Sequence, residues 1–221
     1  MITVVLATRN GHKVREVGQI LGPVIRLLQL NDFPGAPTPV EDADTFASNA
    51  AKKVLSLAGW LKANPSSTVK PIYSESACYL LADDSGLEVD ALDGAPGVHS
   101  ARFAAGDAAG TVNTPDAANN AKLMRLLEGV PPERRTARFR CVLALLRLHP
   151  SLEKVAYFEG ACEGSISLAP SGRGGFGYDP LFVPSGCALS FADLGDDIKN
   201  QLSHRARALA KLKAFLAGQT A

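Results

Sequence analysis

The sequence predicts an α/β fold built on one continuous sheet system, and three observations carry that prediction. A short, continuously apolar, β-branched run stands at Ile2–Ala7, the pattern of a buried strand, and Val24–Leu30 reads as a second strand. Apolar residues at helical spacing follow each of them, at 14–21 and at 45–62, and strand alternating with helix is the signature of βαβ units. A third apolar run, Tyr79–Ala82, ends on two adjacent carboxylates, Asp83 and Asp84. With 221 residues, 46% of them apolar, the chain can enclose a proper core as one large domain or two small ones. One sheet system with room for two lobes is the expectation.

Composition excludes several classes. The net charge of +1 gives no global basic field of the kind that coats nucleic acid, so any anion has to be handled locally. No apolar run reaches the length of a membrane span, and the amino terminus lacks a basic start and a cleavage pattern. A soluble, cytoplasmic protein without nucleic-acid or membrane partners is expected. The four cysteines, Cys78, Cys141, Cys162 and Cys187, form no CxxC pair, and they read as buried thiols rather than zinc ligands.

Taken in order, the first strand ends at Thr8-Arg9-Asn10-Gly11-His12-Lys13, after which Val14, Val17, Ile20 and Leu21 mark a helix that Gly22-Pro23 stops. A strand, polar turn and helix can bind an anion through turn N–H groups, the helix N-terminus and Lys13. The same turn can be purely structural, since it is not a GxxxxGK[ST] loop. After a Pro-rich turn, Thr45 or Asp44 can cap a helix whose apolar face is Phe46, Ala50, Val54, Leu57 and Leu61. Its polar side carries Asn49 and Lys53, four apart. Glu41, Asp42 and Asp44 are either helix-dipole acids or, for Glu41, a metal ligand, and Lys53 is either solvated or a phosphate contact. Residues 63–76 have loop composition and are assigned no chemistry.

Asp83 and Asp84 arrive where the third run is expected to leave the sheet, with side chains on opposite faces. They either open an ordinary Asp-Ser-Gly turn or hold a cation, and an oxygen-rich site suits magnesium. Leu87, Val89 and Ala91 then alternate as a half-exposed strand, and a tight turn follows at 94–97. Arg102 can reach an anion, whereas His99 reads as structural because no nucleophile is spaced to partner it. Thr114 or Asp116 can cap a helix running through Leu123, Leu126 and Leu127. Residues 136–148 and 155–164 read as two long antiparallel strands, and Arg138 and Arg140 as a solvated strand face.

The second informative stretch is Ser171 to Pro180. Its glycines permit close approach of backbone to a ligand, Phe176 and Tyr178 offer flat surfaces against a base, and Asp179 can accept a hydrogen bond. It can equally be a Gly-rich hairpin loop. Ser203 can cap a last helix with Ala206, Leu209, Leu212 and Leu216 as its apolar face. His204 and Arg205 in its first turn oppose the helix dipole, an objection that a bound anion or a base carbonyl removes.

Thr8 to Lys13, Glu41 with Thr45-Phe46 and Asn49-Ala50, Ala82 to Leu87, Gly94 to Gly97, Phe176 to Pro180, and Lys199 with Ser203-His204-Arg205 occur in one order along nearly the whole chain. Together they resemble the Ham1 family, the inosine triphosphate pyrophosphatases. That resemblance implies an elongated α/β fold in a single domain, residues 1–221, with a mixed central sheet, flanking helices and two lobes around a cleft, assembled as a homodimer. It implies a magnesium-dependent hydrolase that converts deaminated purine nucleoside triphosphates (ITP, dITP, XTP) to the monophosphate and pyrophosphate. It further implies that Thr8, Arg9, Asn10, Gly11, His12 and Lys13 wrap the phosphates and that Lys53 adds charge. Glu41 and Asp84 would hold Mg2+, with Asp84 or its neighbour Asp83 as general base and Ser85 touching substrate. Phe176, Gly177, Tyr178 and Asp179 would hold the purine, and Lys199, His204 and Arg205 would read its oxygen at position 6. Ser48 departs from the glutamate that members often carry before the Asn-Ala pair, and the segment at 63–76 is longer than in compact relatives. A catalytically silent nucleotide-binding module, a structurally similar hydrolase of modified pyrimidine triphosphates or of phosphomonoesters, and a single-stranded nucleic-acid binder are the rival classes; product identity and salt dependence separate them.

Overall fold

β1 (Ile2–Leu6) forms first in the chain and lies at the centre of the amino-terminal half, with Thr3 to Leu6 fully buried. The computed structural model describes residues 2–65, 77–105, 113–149 and 154–218. α1 (Gly11–Leu21) leads from β1 to β2 (Ile25–Gln29), and α2 (Phe46–Ala63) precedes β3 (Ala77–Val89). β1 pairs in parallel with both β2 and β3, Leu6 standing opposite Gln29 and Leu81. The chain therefore leaves β1 toward one side and returns to its other side, which makes the β1/β3 boundary a topological switch point. In open α/β sheets, ligands bind at the carboxyl ends of the strands there.

After β3, α3 (Asp116–Leu126) precedes β4 (Thr136–His149) and β5 (Ala156–Ile166), and β6 (Phe182–Pro184) pairs antiparallel with the end of β5. α4 (Phe191–Leu202) and α5 (His204–Gly218) complete the chain. The strands form one mixed six-stranded sheet in the order β2-β1-β3-β4-β5-β6, so the α/β expectation holds. The chain divides into two compact units, Met1–Asp84 with Val142–Glu159 and Ala208–Ala221, and Ser85–Cys141 with Gly160–Arg207. The boundary falls between consecutive residues of β3.

Each unit has its own apolar core. In the first, Ala50, Val54, Leu57 and Leu61 of α2 pack with Cys78, Leu80 and Ala82 of β3. These are the even-numbered positions of the strand, hence one face. In the second, Leu87 and Val89 gather with Leu123, Phe139, Tyr178, Phe182 and Phe191. The Phe139, Phe182 and Phe191 rings stack there with centroids 4.6 to 6.3 Å apart.

Several expectations need correction. β3 does not end at Asp83-Asp84; it continues to Val89, joining the two short strands that the sequence suggests. α1 begins at Gly11 rather than Val14, because the Asn10 side chain accepts from the amides of His12 and Lys13. Neither Thr114 nor Asp116 caps α3: Pro115 holds the cap position, and the Thr114 hydroxyl bonds Asn119. Arg102 is buried rather than presented to an anion. α4 has no counterpart among the elements expected from the sequence; Ser190 caps it and it is kinked at Gly195 (φ +79°). Thr45 and Ser203 do cap, accepting from Ser48 N and Ala206 N. From residue 66 onward, the loop at 63–76 lies outside the described residues. Among the described residues no helix is long and apolar enough to cross a membrane.

Three of the four thiols are buried, and burial pushes that of Cys162 up to about 11; Cys187 is half-buried. A maleimide applied to the native protein is therefore expected to modify Cys187 alone, and all four cysteines after unfolding. Rapid native labelling of Cys78, Cys141 or Cys162 would contradict this packing.

Candidate active site

In the first unit, the sheet register sets the site. The amide of Ala7 donates to the carbonyl of Leu81 at 2.7 Å, and that pairing ends β1. β3 runs on past its neighbour, so Asp83 and Asp84 emerge beside the turn that follows β1. Alternation then sends the two carboxylates apart. Asp84 continues the even-numbered face that packs against α2, and meets Lys53 of that helix at 2.8 Å. Asp83 takes the other face and accepts from Lys13 in the first turn of α1.

Lys53 is the hub. Its Nζ donates to Asp84 Oδ1 and pairs with Glu41 Oε1, each at 2.8 Å, and donates to the Asp83 carbonyl at 3.0 Å. It is only 5% exposed, as is fitting for a lysine whose three donor positions are all directed at oxygens. Asn49, one turn earlier on α2, is fully buried; its amide reaches Asp84 Oδ2 at 3.3 Å, and its oxygen accepts from Ala43 N at 2.9 Å. The polar side of this helix, for which the sequence leaves a solvated and a functional role open, is thus a buried polar seam.

Electrostatics follow from that geometry. Burial pushes the Asp84 carboxyl up; Lys53 and Lys13 oppose it, the Glu41 charge pushes the same way, and the net displacement is upward. Burial also pushes Glu41 up, but the charge and hydrogen bond of Lys53, then Lys13 and a hydrogen bond with Asp84, leave it below its ordinary value. Burial alone would depress Lys53, and the two carboxylates raise it instead. Two ammonium groups, Lys13 and Lys53, face three carboxylates, Glu41, Asp83 and Asp84. The fully ionised cluster therefore carries one negative charge in excess.

A divalent cation fits that deficit. Among the described residues no three or more His, Cys, Asp or Glu side chains gather into a metal cage. Magnesium needs none: it takes one or two carboxylates and keeps water or phosphate oxygens for its remaining positions. Glu41 and Asp84, sharing one ammonium, have the chemistry such a donor set would need.

The turn at Thr8–Lys13 is arranged differently from the expected amide cradle. The amide of Asn10 donates to Thr8 Oγ1 at 3.1 Å, and those of His12 and Lys13 donate to Asn10 Oδ1 at 2.9 and 3.2 Å. These three N–H groups hold the turn's own shape. Arg9 donates to the Ala36 carbonyl at 2.7 Å, while Gly11 and His12 are exposed at the start of α1.

In the second unit, Asp179 and Lys199 form a buried pair at 2.6 Å, each 2% exposed. Asp179 also accepts from Phe176 N at 2.8 Å. Lys199 Nζ lies 4.2 Å from the centroid of the Phe176 ring and the Arg205 guanidinium 5.8 Å from it, a cation-π arrangement. Arg205, 1% exposed, donates to Ser85 Oγ at 2.9 Å, which ties the first residue of this unit to α5. His204 stacks on Phe139 with centroids 4.8 Å apart.

Tyr178 is a correction. It does not offer a face to a ligand: it is 4% exposed within the second core, and its hydroxyl donates to the Ser100 carbonyl at 2.9 Å. Gly175, at φ +72°, admits no side chain, because a Cβ there would overlap the Asp179 carboxylate. The sequence reading missed Asn49 and Gly175 as supporting residues. The glycine run signalled Gly175; nothing short of the fold signals that Asn49 is buried.

The chain is similar to known proteins over nearly its whole length. The dITP/XTP pyrophosphatase of Desulforamulus reducens is 46% identical over 213 residues, covering 96% of this chain and 94% of that protein. The protein of the same name from Geobacter sulfurreducens is 46% identical over 220 residues, covering 99% and 98%. Among solved structures, the Staphylococcus aureus Ham1 protein superposes with a TM-score of 0.77 at 32% identity, covering 98% of this chain and 99% of that one. The Mycobacterium abscessus nucleoside-triphosphatase / dITP/XTP pyrophosphatase gives a TM-score of 0.67 at 35% identity, covering 95% and 98%. The model of the Ham1 family matches residues 4–215, and the chain belongs to that family.

Proposed function

We propose that this protein is a nucleoside triphosphate pyrophosphohydrolase that converts deaminated purine nucleotides, dITP, ITP and XTP, to the monophosphate and pyrophosphate. The observation that carries the reading is the cluster in which the buried Lys53 joins the buried Asp84 to the half-exposed Glu41 beside Lys13, a cation-deficient set of oxygens at the switch point of the sheet. The similarity to proteins named dITP/XTP pyrophosphatase supports the same substrate class.

In this reading Glu41 and Asp84 hold Mg2+, which when bound supplies charge neutralisation at the phosphates. Lys13 and Lys53 add positive charge, and Thr8 to His12 shape the turn that receives the phosphates. Asp84 takes the proton from the attacking water. Asp83, engaged with Lys13, orients that lysine. Water attacks the α-phosphorus, and pyrophosphate leaves carrying the charge that the lysines and the ion offset.

At the base end, Phe176 supplies the stacking face and Gly177 the close backbone approach, while Asp179 fixes Lys199. The substrate's oxygen at position 6 accepts from Lys199, His204 and Arg205, and Ser85 holds Arg205 in place. Adenine presents a donor at that position, which would leave buried donors unpaired, and this is the basis of discrimination. Tyr178 serves as scaffold. A homodimer working in the cytoplasm belongs to the same reading, with the nucleotide as the small-molecule partner.

Pyrophosphate release from dITP, XTP and ATP, with and without Mg2+, tests the proposal. Release from the first two that requires the ion is expected. Orthophosphate as sole product, or binding without turnover, would overturn it in favour of a phosphatase or a silent binding module. Asp84→Asn should lower kcat by about three orders of magnitude, or about 4 kcal/mol, and near-normal turnover would remove it from the base role.

Lys53→Met should be as damaging, and should also cost about 3 kcal/mol of stability at neutral pH, because the buried Asp84 loses its cation while solvent screens the loss at the half-exposed Glu41. Both carboxyl groups then rise, and a raised carboxyl group favours the folded state only when protonated. The deficit should therefore be largest at neutral pH and shrink as the pH falls through the folded-state range of the pair. A pH-independent deficit would contradict the charge cluster. Arg205→Met should reduce the preference for dITP over ATP by about tenfold to a hundredfold; an unaltered ratio would assign base reading elsewhere.

A further inference from the structure

We infer that Asp116 and Asn120 are positioning residues for base recognition: one helical turn apart on α3, they clamp the Gly177 peptide and thereby fix the ring of Phe176. The inference rests on the function proposed above and concerns only how the base end is held.

Gly177 has φ +63° and sits in the irregular segment between β5 and β6, with no strand or helix partner for its backbone. Both of its polar groups are nevertheless engaged. Its N–H donates to the Asp116 carboxylate at 2.6 Å, and its carbonyl accepts from the Asn120 amide at 3.0 Å. Residues four apart share one face of a helix, so a single helical surface grips a single residue from both sides.

The grip is transmitted to Phe176. The Gly177 nitrogen belongs to the same planar peptide as the Phe176 carbonyl, and on its other side the Phe176 amide is held by Asp179 Oδ2 at 2.8 Å. Phe176 is thus tied at its own N–H by the residue that pairs with Lys199, and at the following peptide by α3. With both ties in place the ring lies under Lys199 at 4.2 Å and Arg205 at 5.8 Å.

Two features argue that this is more than local helix chemistry. Asp116 opens α3, where a carboxylate commonly serves the helix's own amides; its Oδ2 instead reaches a residue 61 positions away. Asn120 Oδ1 is buried with no hydrogen-bond partner among the described residues. An orphaned buried oxygen destabilises a fold, and a leucine there would avoid that cost. What leucine cannot supply is the donor to Gly177.

The test compares wild type with Asp116→Ala, Asp116→Asn and Asn120→Leu in Mg2+-dependent pyrophosphate release from dITP and ATP, with thermal melting in parallel. For Asp116→Ala, KM for dITP is expected to rise about tenfold while kcat stays within about twofold, with a reduced preference for dITP over ATP. Asp116→Asn keeps an acceptor oxygen and should recover most of the affinity. Asn120→Leu should raise KM while melting at an equal or higher temperature, a split that a merely structural role cannot produce. Unaltered KM in both Asp116→Ala and Asn120→Leu, or losses in KM, kcat and melting temperature that move together, would overturn the inference. Wild type failing to release pyrophosphate from any purine triphosphate would sink the functional reading instead, so the two failures are distinguishable.

Discussion

The ammonium group of Lys53 is the constraint on which the first unit's site depends. It is buried on α2, and its three donor directions all end on oxygens of Glu41, Asp84 and the Asp83 backbone. Burying an ammonium is costly unless every donor is received, and burying two carboxylates side by side is costly unless a cation lies between them. Each half of the cluster therefore makes the other tolerable. The apolar contacts of Ala50, Val54 and Leu57 with the even face of β3 supply the burial that enforces this mutual dependence.

The arrangement is stable without being electrically complete. One excess negative charge is left when Lys13, Lys53, Glu41, Asp83 and Asp84 are all ionised, and burial, aided by the neighbouring Glu41 charge, displaces the Asp84 carboxyl upward. A surplus of carboxylate charge is what a divalent cation would offset, and it is the basis of the function proposed above. The second unit repeats the motif with a different outcome. There Asp179 and Lys199 neutralise one another, and the lysine is presented over an aromatic ring rather than toward further carboxylates. A neutral pair beside a flat apolar surface suits a nucleobase, just as an acidic cluster suits a metal-bound phosphate chain.

What the sequence disclosed, and what it hid, has a physical pattern. The first strand, both amino-terminal helices and the Thr45 and Ser203 caps were legible because each depends on local periodicity or one side chain. The run through Asp83-Asp84 was misjudged as a strand end because aspartates disfavour strands; only the distant lysines of α1 and α2, invisible to local reasoning, let β3 continue. α4 was missed because Gly195 kinks it and two aspartates follow, a composition that reads as loop. Tyr178 stood beside Phe176 in a glycine-rich stretch, and nothing local reveals that one ring enters the core while the other stays near the surface. The ordered series of short motifs, each weak, pointed to the family because their agreement along the chain is improbable by chance.

The most direct measurement of the central claim is the affinity of the protein for Mn2+, a spectroscopic stand-in for magnesium, followed by electron paramagnetic resonance in the presence of the monophosphate product. Wild type is expected to bind one ion. Glu41→Gln and Asp84→Asn should each weaken that binding by about tenfold or more, and Asp179→Asn, in the other unit, should leave it intact. Equal affinity in wild type, Glu41→Gln and Asp84→Asn would contradict the account.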